Sequence, residues 1–278
     1  MERWRRISLI TLCLLIWVPM IVLLAASFMS LAEILDRYGV LFSHSDVPVQ
    51  VSILPTYPTL RAYFELLFDS PEFFTMFWNS FLQVAPVLLG QLIVAAPGAW
   101  AFSAYEFKGR KLFFLFYHIV MILPFQVTMV SDYLVLDSFH LLNTHLALVL
   151  PGIFSVFPVF IMVKSFENIP KALTEAARID GAGEFYIFLH IGIPLGKSGI
   201  FSALLLSFFE QWNAIEQPIT FLKDKQLWPL SLYLPNITPA KAATVFAAAA
   251  VMMVPCVMLS VLGEEYLTEG IVSSGIKE

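Results

Sequence analysis

Apolar and polar positions along this chain fall into long blocks instead of alternating. Five stretches contain no Asp, Glu, Lys or Arg: 7–32, 73–105, 112–131, 138–163 and 242–263, of 26, 33, 20, 26 and 22 residues. A sixth, 198–221, is apolar apart from Glu210 and Glu216. A helix needs about 20 mostly apolar residues to cross a bilayer. In lipid every backbone N–H and C=O must be paired inside the protein, which a helix achieves within its own segment. A membrane β-barrel would show alternating segments of ~10 residues, and runs such as 247-AAAAVMMV-254 do not alternate. The pattern predicts an all-α membrane protein, a single transmembrane domain over 1–278. Its six spans are expected at about 7–29, 77–103, 112–134, 143–165, 197–221 and 242–264.

Composition sharpens this picture. The 278 residues are 59% apolar and 13% charged, with a mean hydropathy of +0.79. Soluble domains carry about 25% charged residues, so too few charges are present to cover a water-facing surface. Disorder is excluded because it needs low hydrophobicity and high charge. A net charge of −5 gives no basic footprint for nucleic acid. Cys13 and Cys256 lie in apolar runs and suggest no disulfide framework. The five histidines form no metal-binding spacing, so no metal site and no catalytic residue are assigned.

Counting Lys and Arg sets the expected orientation. With the N-terminus inside, the cytoplasmic segments hold 11 of the 16 basic residues and the outer segments 5. Both termini are therefore expected in the cytoplasm. Arg3, Arg5 and Arg6 precede the first apolar run as in a signal peptide. That run is longer than the usual 7–15 residues, and it is read as an uncleaved first helix.

Residues 33–72 then form an outer segment ending in a short amphipathic helix near 60–69. That helix has two open readings, lying on the membrane interface or packing on neighbouring spans. The outer loop 221–241 contains Asn236-Ile237-Thr238, a glycosylation-type triplet of the kind that arises by chance. Residues 104–111 form a short basic turn around Gly109.

The most informative polar segment is cytoplasmic, 168-NIPKALTEAARIDGAGEFYIFLHIGIPLGKSG-199. Pro170 suits a helix start, and Lys171 to Ile179 are good helix formers. Asp180-Gly181 breaks the run, and Glu184 to Ile191 resume it. The first helix carries small residues at Ala172, Ala176 and Ala177 with Glu175 beside them. Small side chains permit close approach of another surface, so this helix is expected to sit in a partner's cleft.

Other polar residues are read one by one. Gly196-Lys197-Ser198 resembles the end of a nucleotide-binding loop. The glycine that loop requires falls at Ile191, so this chain is expected to bind no nucleotide. Carboxylates in spans usually face a bundle interior and mark pathways. Glu210, with Trp212 and Asn213 close by, is the candidate lining of a translocation path. Asp132 is placed at the outer end of its span, in water. Gln83, Gln91 and Gln126 are expected to join helices by hydrogen bonds.

The segment 175-EAARIDGAGEFYIFLHIGIPL-195 resembles the EAA loop of permease subunits in binding-protein-dependent ABC importers. Glu175-Ala176-Ala177, Gly181 and Ile193-Pro194-Leu195 occupy the motif positions, with Ile193 where the family has Leu. Asn79-Ser80, 107-FKGRK-111, 141-LLNT-144, Trp212-Asn213 and 266-YLTEGIVSSGIKE-278 resemble the carbohydrate branch, like the smaller maltose-transporter-type permease. That family usually has Trp-Asn-Glu where this chain has Trp212-Asn213-Ala214.

The resemblance implies a multi-pass plasma or inner membrane subunit. It would import a sugar or oligosaccharide delivered by an extracytoplasmic solute-binding protein. Glu175, Ala176, Ala177, Asp180 and Gly181 of the 168–195 coupling loop would dock on ABC ATPase subunits. A second homologous permease would complete the path. ATP and Mg would be used by the partner ATPase, none being bound here. The alternatives are an ABC permease for a non-sugar solute and a stand-alone secondary transporter, although no internal repeat supports the latter.

Overall fold

The computed structural model describes residues 2–39, 54–234 and 238–275. Within them all regular structure is helical. The helices are α1 (Glu2–Ala26), α2 (Leu31–Tyr38), α3 (Arg61–Phe68), α4 (Pro71–Ala104), α5 (Arg110–Ile122), α6 (Phe125–Ser138) and α7 (Leu146–Ile153). There follow α8 (Val156–Phe166), α9 (Lys171–Ile179), α10 (Glu184–Ile187), α11 (Ile193–Leu195), α12 (Lys197–Trp212), α13 (Glu216–Phe221) and α14 (Ala242–Gly275). Residues 40–53 of the expected outer segment lie outside the described residues, as do Asn236 and Ile237 of the glycosylation-type triplet and Lys277.

Four described helices are long and apolar enough to cross a membrane: Trp4–Ala26, Pro71–Ala104, Leu146–Phe166 and Pro239–Tyr266. Two bent pairs bring the number to six if each is one span. One pair is α5 with α6, bent by 105°, and the other is Glu184–Leu195 with α12, bent by 73°. The structure therefore departs from a continuous helix over 112–134. Pro124 has no N–H to donate and holds Leu123 extended at φ −60°, ψ 138°. The segment 197–221 is interrupted too, since α12 ends at Trp212 and α13 begins at Glu216.

The chain divides into two compact units, Met1–Phe77 with Leu232–Pro255, and Trp78–Ser231 with Cys256–Glu278. In the first unit, no residue in the most apolar window of α1 is buried. Leu14, Leu15, Ile16 and Trp17 all face outward, which is costly in water and neutral in lipid. Helix α3 buries Ala62 and Leu66, whereas Phe64 and Phe68 are exposed with ring centroids 4.6 Å apart. One face thus packs while the other presents aromatic rings.

Ser30 caps α2 by accepting from the Glu33 amide at 3.2 Å. The Glu33 carboxylate accepts from the Thr56 amide at 2.6 Å and pairs with Arg37 at 2.7 Å, tying 54–56 to α2. Burial pushes the Glu33 carboxyl up, but the Thr56 hydrogen bonds and the Arg37 charge outweigh it and hold the group below its usual value.

In the second unit, α4, α8, α10 and α12 share a core around Trp100, Phe166, Phe188 and Ile200. Close approach is possible because Gly192, Gly196 and Gly199 carry no side chain where they meet Trp100, Phe166 and Ser165. A Cβ on Gly199 would lie 2.1 Å from Ser165 Cβ, and one on Gly196 would lie 2.3 Å from a Phe166 ring carbon. This is the small-residue packing expected where lipid supplies no hydrophobic drive between helices.

Polar side chains fix the unit further. Asn79 Nδ2 donates to the carbonyls of Gln226 (2.6 Å) and Trp228 (3.0 Å). Ser80 Oγ accepts from the Leu230 amide at 2.8 Å. Asn143 Oδ1 accepts from the amides of Lys223 and Asp224 at 2.9 and 2.8 Å. The Asn79-Ser80 and LLNT motifs thus pin the 223–230 segment. Replacing Asn79 with Ala strands two carbonyls at a site only 6% exposed. Thermal unfolding of the detergent-solubilised complex is expected to show a loss of about 1–3 kcal/mol.

The three glutamines anticipated as helix joiners do join segments. Gln83 Nε2 reaches His145 Nδ1 (3.1 Å) and the Leu227 carbonyl (2.9 Å). Gln91 Nε2 donates to the Gly152 carbonyl at 2.8 Å, and Gln126 Nε2 to Glu216 Oε2 at 3.4 Å.

Candidate functional site

The 168–195 loop begins with α9, which starts directly after Pro170. Thr174 is buried and Ala177 packs on the unit's core, so these residues face inward. Glu175 and Ala176 are exposed on the outer side. The helix ends by two backbone bonds, Ala182 N to Ala177 O at 2.9 Å and Gly181 N to Arg178 O at 3.0 Å. This closure requires a left-handed residue, and Gly181 supplies it with φ +86°. Asp180, the C-cap, is exposed beside it. Ala177, Asp180, Gly181, Ala182, Gly183 and Tyr186 line one groove of about 500 Å³. Around it Ile179 is 86% exposed and Phe185 73% exposed.

A charged clamp sets the angle between α9 and α10. Arg178 Nε and Nη2 donate to the two Glu184 oxygens at 2.7 and 3.1 Å, and Tyr105 Oη donates to Glu184 Oε2 at 2.8 Å. The clamp bridges the Gly181 turn and ties the loop to the end of α4. The Arg178 hydrogen bond, then that from Tyr105, holds the Glu184 carboxyl below its usual value. Burial, then its bond to Glu184, pushes the Tyr105 phenol up, so it stays a donor.

A carboxyl with a lowered pKa contributes its stability above the unfolded value, and the contribution is lost as pH falls through the lowered one. The clamp is therefore complete at neutral pH and opens only in acid. Glu184→Gln removes the charge while keeping the shape. It is expected to raise amide hydrogen exchange across 178–186 at pH 7 and to abolish the acid-dependent rise expected in the parent. Sequence spacing did not reveal the clamp, because its members sit six residues apart across a turn and, for Tyr105, on another helix.

Between α11 and the preceding α10 lies a single π turn, Phe188–Gly192. Gly192 lies against the Trp100 ring, 3.0 Å from where its Cβ would be. The bent path from the loop into α12 is therefore packed directly on α4.

The second feature is a cavity of about 980 Å³. Three interruptions in apolar helices meet on it. Leu123 and Phe125 flank the break between α5 and α6, Phe154 and Ser155 the break between α7 and α8, and Asn213 to Ile215 the break between α12 and α13. Irregular backbone at membrane depth is tolerated where it lines a cavity. Glu210, Gln211, Asn213, Glu216 and Gln217 contribute polar groups from one side, and Thr128, Ser131 and Asp132 from another.

The structure separates the three residues picked out as path lining. Glu210 and Asn213 line the cavity. Asn213 Nδ2 also donates to the Phe209 carbonyl at 2.8 Å, closing the end of α12. Trp212 is 1% exposed and turns the other way, stacked on Phe208 at 5.3 Å with Phe81 edge-on at 5.2 Å. Asp132, placed in outer water from the sequence, lines the cavity with Glu210. The i, i+4 pairing of Phe208 with Trp212 was the signal that this ring faces a core.

Broken apolar helices around a polar cavity, with an exposed polar loop, are the build of a membrane-spanning transport subunit. The chain belongs to the binding-protein-dependent transport system inner membrane component family, whose profile matches residues 92–269. It is 29% identical to the arabinooligosaccharides transport system permease protein AraQ of Halalkalibacterium halodurans, over 93% of this chain and 90% of that protein. It is 27% identical to the sn-glycerol-3-phosphate transport system permease protein UgpE of Brucella abortus, over 81% of this chain and 83% of that one. Its fold matches a chain from the crystal structure of a bacterial ABC transporter involved in the import of the acidic polysaccharide alginate. The TM-score is 0.81 at 22% identity, over 95% of both chains. Family membership makes this chain a membrane component that works with a binding protein and an ATPase.

Proposed function

We propose that this chain forms one side of the path by which an ATP-driven importer moves a sugar or oligosaccharide into the cell. The observation that carries the reading is the convergence of three helix interruptions on one polar cavity. Discontinuous helices form the substrate sites of many transporters for the same reason, since the freed backbone and polar ends face the solute. The saccharide reading draws support from AraQ, whose name specifies arabinooligosaccharides.

A second, homologous permease supplies the facing side, and both termini lie in the cytoplasm. Glu175, Ala176, Ala177, Asp180 and Gly181 form the contact with the ATPase, which holds ATP and Mg. ATP binding must favour one state of the path over the other, because a ligand shifts an equilibrium only by its differential affinity. The small groove and exposed Ile179 and Phe185 give the ATPase a surface to grip. The clamp at Glu184 makes the loop a rigid handle, and the contact of Gly192 with Trp100 carries its displacement into the spans.

The test is to tag the chain in its native membrane, extract it in mild detergent and identify co-purifying proteins by mass spectrometry. An ATPase and a second permease are expected, with saccharide uptake on reconstitution with the binding protein. A chain that is recovered alone and still catalyses uptake in liposomes overturns the reading.

A further inference from the structure

Among the described residues three carboxylates, Asp132, Glu210 and Glu216, line the cavity, and no Lys, Arg or His does. Among the described residues the Asp132 and Glu210 side chains have neither hydrogen bond nor ion pair, and the Glu216 carboxylate accepts only from the neutral amide of Gln126 at 3.4 Å. Their charge is therefore uncompensated by this chain. Nearby apolar side chains and lipid lower the local dielectric and lengthen the reach of that charge. The remaining lining is largely aliphatic and includes the amides of Gln211, Asn213 and Gln217, the hydroxyls of Thr128, Ser131 and Ser155, and the rings of Phe125, Phe154 and Phe157. Amides and carboxylates accept hydrogen bonds from hydroxyl groups, and aromatic faces suit the apolar faces of a sugar ring.

We infer that the cavity selects by charge: it passes an uncharged or cationic saccharide and rejects phosphorylated or uronate-containing solutes. This rests on the proposed role of the cavity as part of the path. A ring of one sign is a common selectivity device in membrane pores, and juxtaposing like charges discriminates strongly against the wrong solute.

Reporter cysteines in the intact complex, in native membrane vesicles, test this. Cys13 and Cys256 are replaced by Ala, and Asn213→Cys or, as a second reporter, Ser131→Cys is introduced. Modification rates are measured with methanethiosulfonate-ethylammonium and methanethiosulfonate-ethylsulfonate, each normalised to a free thiol in solution. The cationic reagent is expected to be favoured by about tenfold or more. Asp132→Asn with Glu210→Gln is expected to bring the ratio most of the way to that of the free thiol. The parent complex, with its binding protein, is expected to exclude labelled sn-glycerol-3-phosphate and uronate oligosaccharides.

A ratio equal to that of the free thiol, a preference for the anionic reagent, or uptake of either anionic probe overturns the charge selection. A fully modified reporter that leaves uptake at its unmodified rate overturns the path reading itself, and the inference with it.

Discussion

Reversing the charge at Glu175 is expected to abolish uptake while leaving ATP hydrolysis by the assembled complex largely intact. Glu175 is exposed on the outward side of α9, away from the Thr174 and Ala177 face that packs on its own unit. No Lys or Arg of the described chain forms an ion pair with it, although Arg178 on the same helix feels its charge. Docking would bring the carboxylate against a basic group of the ATPase. Glu175→Lys turns that attraction into repulsion, worth about 2–5 kcal/mol when the pair is desolvated. This weakens docking by about 30-fold or more. The check is paired measurement of uptake and phosphate release in proteoliposomes. Glu175→Gln, which loses attraction without adding repulsion, is expected to be milder. Parental uptake by Glu175→Lys would count against the docking role.

Gly199→Ala is expected to destabilise the packing of α8 on α12. The added Cβ falls 2.1 Å from Ser165 Cβ and 2.4 Å from its Oγ, on a buried residue. Helices α8 and α12 must separate to accept it, costing about 1–3 kcal/mol and lowering the melting temperature of the detergent-solubilised complex. The clash is specific, which makes a rescue possible. Ser165→Gly removes both offending atoms and leaves the Ser165 Cα at 3.5 Å, an ordinary contact. The double variant is therefore expected to melt well above Gly199→Ala alone. Additive losses in the two single variants would show that α8 and α12 do not meet at this point.

The sequence was most informative where a single residue type answers a single physical need. Long charge-free runs led to membrane helices because lipid leaves the backbone no other partner. Asp180-Gly181 reads as the break between two helices, and Gly181 makes that break with a φ of +86°. The EAA resemblance and the family match agree on the kind of protein this is.

Direction was less accessible. Counting charges over 112–131 measures composition, and the 105° bend at Leu123-Pro124 leaves composition unchanged. Proline inside the run was a visible cue, but α4 keeps Pro86 and Pro97 within one helix. The consequences of a proline therefore depend on what packs around it. Trp212 and Asn213 are adjacent in the chain yet face a core and a cavity. Proximity in sequence is a poor guide at a helix end. The Arg178, Glu184 and Tyr105 clamp has no sequence period at all, because the turn at Gly181 and a separate helix bring its members together.

The bare flank of α1 has an evolutionary corollary. With its apolar window unburied, this stretch has no side-chain fit to preserve within its own chain. Selection can act there on length and greasiness alone. Where lipid alone covers this helix, related chains are free to diverge fastest in it, and laboratory designs can exchange it for an unrelated apolar anchor without re-engineering the remainder.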